Sequence, residues 1–230
     1  MTEGPIIIVG MHRSGTSCLA GCLQSAGLYL GEVNTKAPAN RKGNRENRAI
    51  MDLHEDVFQA NNVSWDRPSS RLDWNDSHVE WQAEIIRSYP AKRVWGFKDP
   101  RTLMVIDQWL RAIPHARIAA TFRHPLQVAR SLQQRDNFEP ERALSIWRTY
   151  NSELVRICKS VNVEIVNFDL PPRDYERKVG TICGRLNLDG PQVAGTSFFD
   201  PWLRSSQVFQ VQSLPQDIVD IHDALLSLSA

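Results

Sequence analysis

The chain has no long apolar run. Its most hydrophobic stretch, Pro5–Val9, is far too short to cross a bilayer, and no basic segment leads into a signal-like apolar region. These absences point to a cytoplasmic chain, or to one trimmed of its anchor. Neither sign of charge is in excess: 27 Lys and Arg face 26 Asp and Glu, a net charge of +1 that gives no global case for a nucleic-acid partner. Cysteine is scarce. Cys18, Cys22, Cys158 and Cys183 match neither a zinc-ligand spacing nor a disulfide framework, so reduced thiols and no metal site are expected. There is no internal repeat and no low-complexity tract. With 42% apolar residues, the 230 positions suit a single α/β domain over 1–230. The seven tryptophans are the one abundance; the core is their default place, and a pocket or interface the alternative.

A further absence is local. Residues 6–17, Ile-Ile-Ile-Val-Gly-Met-His-Arg-Ser-Gly-Thr-Ser, run as a β-branched strand into a polar turn and then into a helix opening near Cys18. Gly10 and Gly15 stand where the phosphate-binding pattern Gly-x-x-x-x-Gly-Lys-Ser/Thr places its glycines, but Thr16 occupies the lysine position. Backbone N–H groups at such a helix start converge on an anion, and the helix dipole favours one. Arg13 is the cation inside the turn, and Ser14, Thr16 and Ser17 add hydroxyls. The loop suits a phosphate-like group while lacking the lysine that grips the β- and γ-phosphates of a triphosphate. A plain strand-to-helix turn is the competing reading.

Apolar runs at 6–9, 94–97, 118–122 and 163–168 read as short buried strands, each followed by a helical pattern. The helices that follow the last three are placed at 103–111, 126–135 and 175–186. Further helices are expected at 45–61, 76–88, 140–160 and 215–228. This alternation predicts a three-layer α/β fold of the P-loop type, with a parallel sheet of four or five strands and helices on both faces. Ligands of such sheets lie beyond the carboxyl ends of the strands. The irregular stretches at 37–43, with Pro38, and 62–75, with Trp65 and Trp74, are either a lid or acceptor wall over 35–75 or plain surface connections.

A second constellation follows the third strand, Thr121-Phe122-Arg123-His124-Pro125, with Ser131 inside the next helix. Pro125 suits a first helical turn. An arginine fork with a hydroxyl fits a terminal phosphate monoester. Alone, Arg123 would read as a strand-end residue beside an ordinary helix serine; with the first loop it reads as a second anion site.

The pair Arg13-Ser14-Gly15-Thr16 and Arg123-His124-Pro125 with Ser131 resembles the two cofactor motifs of sulfotransferases that use 3′-phosphoadenosine 5′-phosphosulfate (PAPS). Gly96-Phe97-Lys98-Asp99-Pro100-Arg101 and Phe198-Phe199-Asp200-Pro201-Trp202-Leu203-Arg204 are similar to segments of small bacterial members. The resemblance implies that His12 to Ser17 hold the 5′-phosphosulfate and that Arg123 and Ser131 hold the 3′-phosphate. The family usually has lysine at the position of Arg13. The Arg-Lys-Gly segment of animal cytosolic members is missing, and Arg204 is the suggested substitute. The reaction implied moves a sulfuryl group to a hydroxyl or amine of a small-molecule, carbohydrate or lipid acceptor, with Arg13 stabilising the leaving phosphate.

Such a reaction needs a base. Glu46, in Gly43-Asn44-Arg45-Glu46-Asn47 at the expected start of the 45–61 helix, is the first choice. Related bacterial members place a glutamate in a similar setting. His54, two turns on, would share its face; Asp99 and His12 rank lower. The competing role of Glu46 is to complement the helix dipole. Lys98 and Arg101 at the ligand edge either hold the sulfonate or an acidic acceptor, or Asp99 and Arg101 brace the loop as an ion pair. Arg41, Lys42, Arg45 and Arg48 are either a steering patch or a solvated face. A small P-loop metabolite kinase using ATP and a non-catalytic nucleotide-binding protein are the alternatives. Oligomeric state is open.

Overall fold

The strand Ile6–Val9 (β1) is fully buried over all four residues and pairs in parallel with two neighbours. On one side lies Gly96–Lys98 (β2); on the other lie Arg117–Phe122 (β3) and then Val163–Asn167 (β4), giving the order β2-β1-β3-β4. A strand covered on both faces has no polar alternation to show, which is why this one reads as an unbroken apolar run. The computed structural model describes residues 4–37, 40, 42–69, 72–91, 94–188, 198–200 and 213–230.

The pleat sends alternate side chains into two cores. Ile6 and Ile8 pack with Ala119 and Val166 under the helices Thr16–Ser25 (α1) and Pro172–Arg185 (α7), through Leu19, Leu23, Tyr175 and Val179. Ile7 and Val9 join Ile118, Ala120 and Phe122 in the larger core on the opposite face. That layer is built from Arg48–Ala60 (α2), Asp76–Ser88 (α3), Thr102–Ala112 (α4), Pro125–Asp136 (α5), Pro140–Ser160 (α6) and Gln216–Leu228 (α8). The three-layer P-loop-type arrangement with a four-stranded parallel sheet is the one the strand–helix alternation predicted. Trp109 and Trp147 are fully buried, whereas Trp65 is half-buried at the site described below. No helix among the described residues is long and apolar enough to cross a membrane.

Chain order positions the site. From β1 the chain passes through α1–α3 to β2, then returns by α4 past β1 to β3. The connections leaving β1 and β3 therefore diverge, and their strand-end loops are neighbours at a topological switch point.

Two of the boundaries that differ from the sequence expectation bear on the site. The second strand pairs from Gly96, not from Val94; Trp95 meets Tyr29 in an isolated bridge and its carbonyl accepts from Ile6 N. The helix expected from residue 45 begins at Arg48. Asn47 caps it, its side chain accepting from Ala49 N at 3.0 Å. Gly43 (φ 77°) and Arg45 (φ 59°) are left-handed, and Asn34 exchanges backbone hydrogen bonds with Arg45 and Glu46. Glu46 thus lies before the helix, so the expectation that it opens a helix and shares a face with His54 is overturned.

Candidate active site

The loop between β1 and α1 is shaped by its glycines. Gly10 (φ 147°) and Gly15 (φ 85°) hold backbone angles that side chains disfavour. A Cβ on Gly10 would also overlap the Thr121 carbonyl, and one on Gly15 the Phe168 ring. Ser14 N donates to Met11 O at 3.2 Å to close the turn, and Thr121 Oγ1 donates to Ser14 O at 3.0 Å to tie it to β3. Gly15 has no side chain to cap α1, so the first-turn N–H groups keep their affinity for an anion. Gly15, Thr16 and Ser17 line a cavity of about 490 Å³. Ser14 does not; it is fully buried beneath the loop, and its Oγ has no hydrogen-bond partner.

Arg13 also sits in the left-handed region, at φ 66°. Its Nε donates to Ser131 Oγ at 2.7 Å, joining the loop after β1 to the helix after β3. Arg123, at the end of β3, is buried; its Nε donates to Asp169 Oδ1 at 3.0 Å while Asp169 Oδ2 accepts from His124 N at 2.7 Å. Trp147 Nε1 donates to the Arg123 carbonyl at 3.0 Å, and the Phe168 ring lies 5.5 Å from its guanidinium carbon. The two anion sites expected from sequence therefore meet in one cavity, with Ser131 touching Arg13 directly. Burial pulls the Arg13 pKa below its ordinary value, and Arg135 and Arg123 add repulsion; Asp136 opposes them.

On the far side of the P-loop, Lys98 at the end of β2 meets Glu46, Nζ to Oε1 at 2.6 Å. The contact is nearly dry, with side chains 2% and 11% exposed, and both residues line the cavity. Asp99 holds the Arg101 guanidinium at 2.8–3.2 Å, and Glu55 accepts from Arg101 Nη1 at 2.7 Å. The bracing role for Asp99 and Arg101 is thereby realised, although Arg101 still lines the cavity. Burial works to raise the Asp99 pKa, but Arg101 and the hydrogen bond from His54 prevail and hold it well below the usual carboxylate range.

His54 does not line the cavity. It is fully buried, with Trp109 Nε1 donating to its Nε2 at 2.8 Å and its Nδ1 3.2 Å from Asp99 Oδ2. Indole N–H is only a donor, so Nε2 must accept and Nδ1 carries the proton given to Asp99. Both nitrogens are committed to the core. The helical spacing that suggested a shared face with Glu46 turns His54 inward instead.

His12 lines the cavity between these regions, its ring 4.7 Å from that of Trp65. Its Nδ1 is buried without a partner. Burial lowers its pKa well below the usual value, with Arg101, Arg135 and Lys98 reinforcing and Asp99 opposing, so the ring is neutral. The expected basic cluster divides. Lys42 and Arg45 pack over the Phe198 ring at 5.0 and 4.7 Å, Arg45 also donating to Gln24, while Arg48 pairs with Asp52 in solvent. Arg41, Arg204 and residues 201–203 of the quoted segment lie outside the described residues. Sequence reasoning missed Asp169, Glu55 and Arg135, whereas Trp65 lay in the expected acceptor-wall segment. Only Arg135 carried a local signal, since it is one helical turn from Ser131.

The chain matches the Sulfotransferase family model over residues 5–189. Among solved structures it is similar to the sulfotransferase domain of the Synechococcus PCC 7002 olefin synthase, with 19% identity, TM-score 0.61, and 97% of this chain and 96% of that one covered. A sulfotransferase from Alicyclobacillus acidocaldarius superposes with 16% identity and TM-score 0.54 over 100% of this chain and 96% of the other. At these identities the likeness is one of fold. No curated protein matches it in sequence. The family match covers most of the chain, including the P-loop, Lys98, Arg123 and Ser131, and on it the chain belongs to the sulfotransferase family and is a transferase enzyme.

Proposed function

We propose that the enzyme uses PAPS as donor and transfers its sulfuryl group to a hydroxyl or amine of a small-molecule, carbohydrate or lipid acceptor. The observation that carries this reading is the Arg13–Ser131 hydrogen bond, which makes one polyanion site of the P-loop and the Arg123 region. The residues fit such a cofactor. An uncapped helix start, partnerless His12 Nδ1, and the guanidiniums of Arg13 and Arg123 suit a molecule with two separated phosphate groups. Thr16 fits as well, because the leaving group is a single phosphate and needs no Walker lysine.

When bound, PAPS supplies the SO₃ group: its sulfur–oxygen bond to the 5′-phosphate breaks as the bond to the acceptor oxygen or nitrogen forms. Gly15, Thr16 and Ser17 bind the 5′ end through backbone and hydroxyl donors. Arg13 neutralises charge that grows on the phosphate oxygen. Arg123 and Ser131 hold the 3′-phosphate. Glu46 takes the acceptor's proton. Lys98 keeps the carboxylate in place with one N–H and has two more for sulfonate oxygens. Asn40, Lys42, Glu46 and Trp65 line the cavity from the 35–75 segment, which supports its role as acceptor wall.

Calorimetric titration with 3′-phosphoadenosine 5′-phosphate (PAP) and with magnesium-ATP tests the donor. PAP is expected to bind more tightly; preference for magnesium-ATP would favour a kinase and overturn the reading. Transfer of labelled sulfate from PAPS to members of an acceptor panel tests the reaction and excludes a nucleotide-binding protein without activity.

A further inference from the structure

One cation of the cavity has no part in the roles assigned above. Arg135 lies on α5 four residues after Ser131, so the two share a helix face, and both line the cavity with Arg13 and Arg123. Its guanidinium is held along one edge: Asp136 accepts from Nε at 2.7 and 2.9 Å and pairs with Nη2 at 2.7 Å. The Trp65 ring lies 5.2 Å from its central carbon. Trp65 stacks on Phe138 at 5.7 Å and 22°, the Arg142 guanidinium sits 4.1 Å from Phe138, and Arg142 pairs with Asp66, the neighbour of Trp65. This alternating stack fixes where Arg135 stands.

Asp136 is the only hydrogen-bond partner of Arg135 among the described residues. The outer edge of the fork, with both Nη1 protons and one on Nη2, is thus uncommitted. Arg135 also stands close enough to Arg13 to be the largest charge lowering its pKa after burial. Arg13, Arg123 and Arg135 all line the one cavity, which gathers three guanidiniums there. Cations packed this closely repel until an anion enters between them.

We propose that Arg135 is a phosphate-binding residue that grips, beside Ser131 and Arg123, the 3′-phosphate monoester of the nucleotide. It would give the site its preference for a 3′-phosphorylated adenosine over one phosphorylated only at the 5′ position. This rests on the PAPS reading above, and it requires nothing from the region of Arg204.

The test compares PAP with adenosine 5′-monophosphate, which lacks the 3′-phosphate, by calorimetry on wild type, Arg135→Ala and Arg135→Gln. Wild type is expected to prefer PAP. Arg135→Ala should lose about 10–100-fold in PAP affinity, the range for a charged hydrogen bond, while the monophosphate changes by less than about threefold. The monophosphate also reports on folding, and Arg135→Gln keeps the packing on Trp65 without the charge; the same selective loss is expected there. Equal losses for both ligands, or none for either, would overturn the assignment. Failure of wild type to prefer PAP would instead remove the PAPS reading and the assignment with it.

Discussion

Arg13 Nε and Ser131 Oγ meet at 2.7 Å across 118 positions of chain. The contact exists because β1 and β3 are adjacent parallel strands whose carboxyl ends open at the same edge. It orients a guanidinium that would otherwise be free to turn. Ser131→Ala is expected to weaken PAP binding by about tenfold, through the direct hydroxyl contact and the loss of this restraint. Calorimetry checks it; unchanged affinity would mean that Ser131 serves only the empty loop.

Glu46→Gln keeps the shape of the side chain and removes its basicity. Turnover should fall by about 10²–10⁴-fold while PAP affinity stays within about twofold. Single-turnover sulfate transfer measures the first and calorimetry the second. A variant of near-normal rate would move the base elsewhere, with neutral His12 next in line.

Substitution of His54 should act on stability. In His54→Leu the Trp109 indole N–H loses its buried partner, while Asp99 Oδ2 keeps Arg101. At about 1–3 kcal/mol for the stranded indole N–H, the variant should be less stable by about that amount in chemical denaturation. The folded fraction should keep the acid limb of the pH–rate profile, because that limb belongs to another residue. Its disappearance would restore His54 as the base.

The Asp99 shift predicts how stability depends on acid. Its folded pKa lies below the unfolded value of roughly 3.9, so in the window between them the unfolded chain binds more protons. The contribution is complete above the unfolded pKa and is lost as pH falls towards the folded one. Lowered His12 acts at higher pH: below about 6.5 the unfolded imidazole takes a proton that the folded one refuses, so stability again falls with acid. Unfolding free energies followed from pH 7 downward should decline in both windows. Asp99→Asn should flatten the lower one, and an unchanged slope there would contradict the pairing with Arg101.

Strand and helix positions were legible because their signals are local. Ile6–Val9 announces a strand covered on both faces, and Pro125 and Pro140 mark helix starts that the fold uses. The approach to α2 was not legible. Gly43 and Arg45 take left-handed angles where Gly43 N donates to Asn40 O and Asn34, eleven residues before Arg45, exchanges hydrogen bonds with Arg45 and Glu46, and no helical periodicity records that. His54 misled for a similar reason: residues 46 and 54 share a helix face only if both lie in the helix.

The sequence by itself determined the parallel α/β architecture and the residue types at two strand ends: glycines where a side chain would strike Thr121 or Phe168, and Arg13, Arg123 and Ser131 where donors are needed. Periodicity and steric demand are properties of short stretches, so a linear reading captures them. Tertiary structure alone decided the pairing of Glu46 with Lys98, the commitment of both His54 nitrogens to the core, and the stack that holds Arg135. These partners lie tens of residues apart in sequence. Which of them meet depends on where each crossover returns to the sheet and on which face each helix buries.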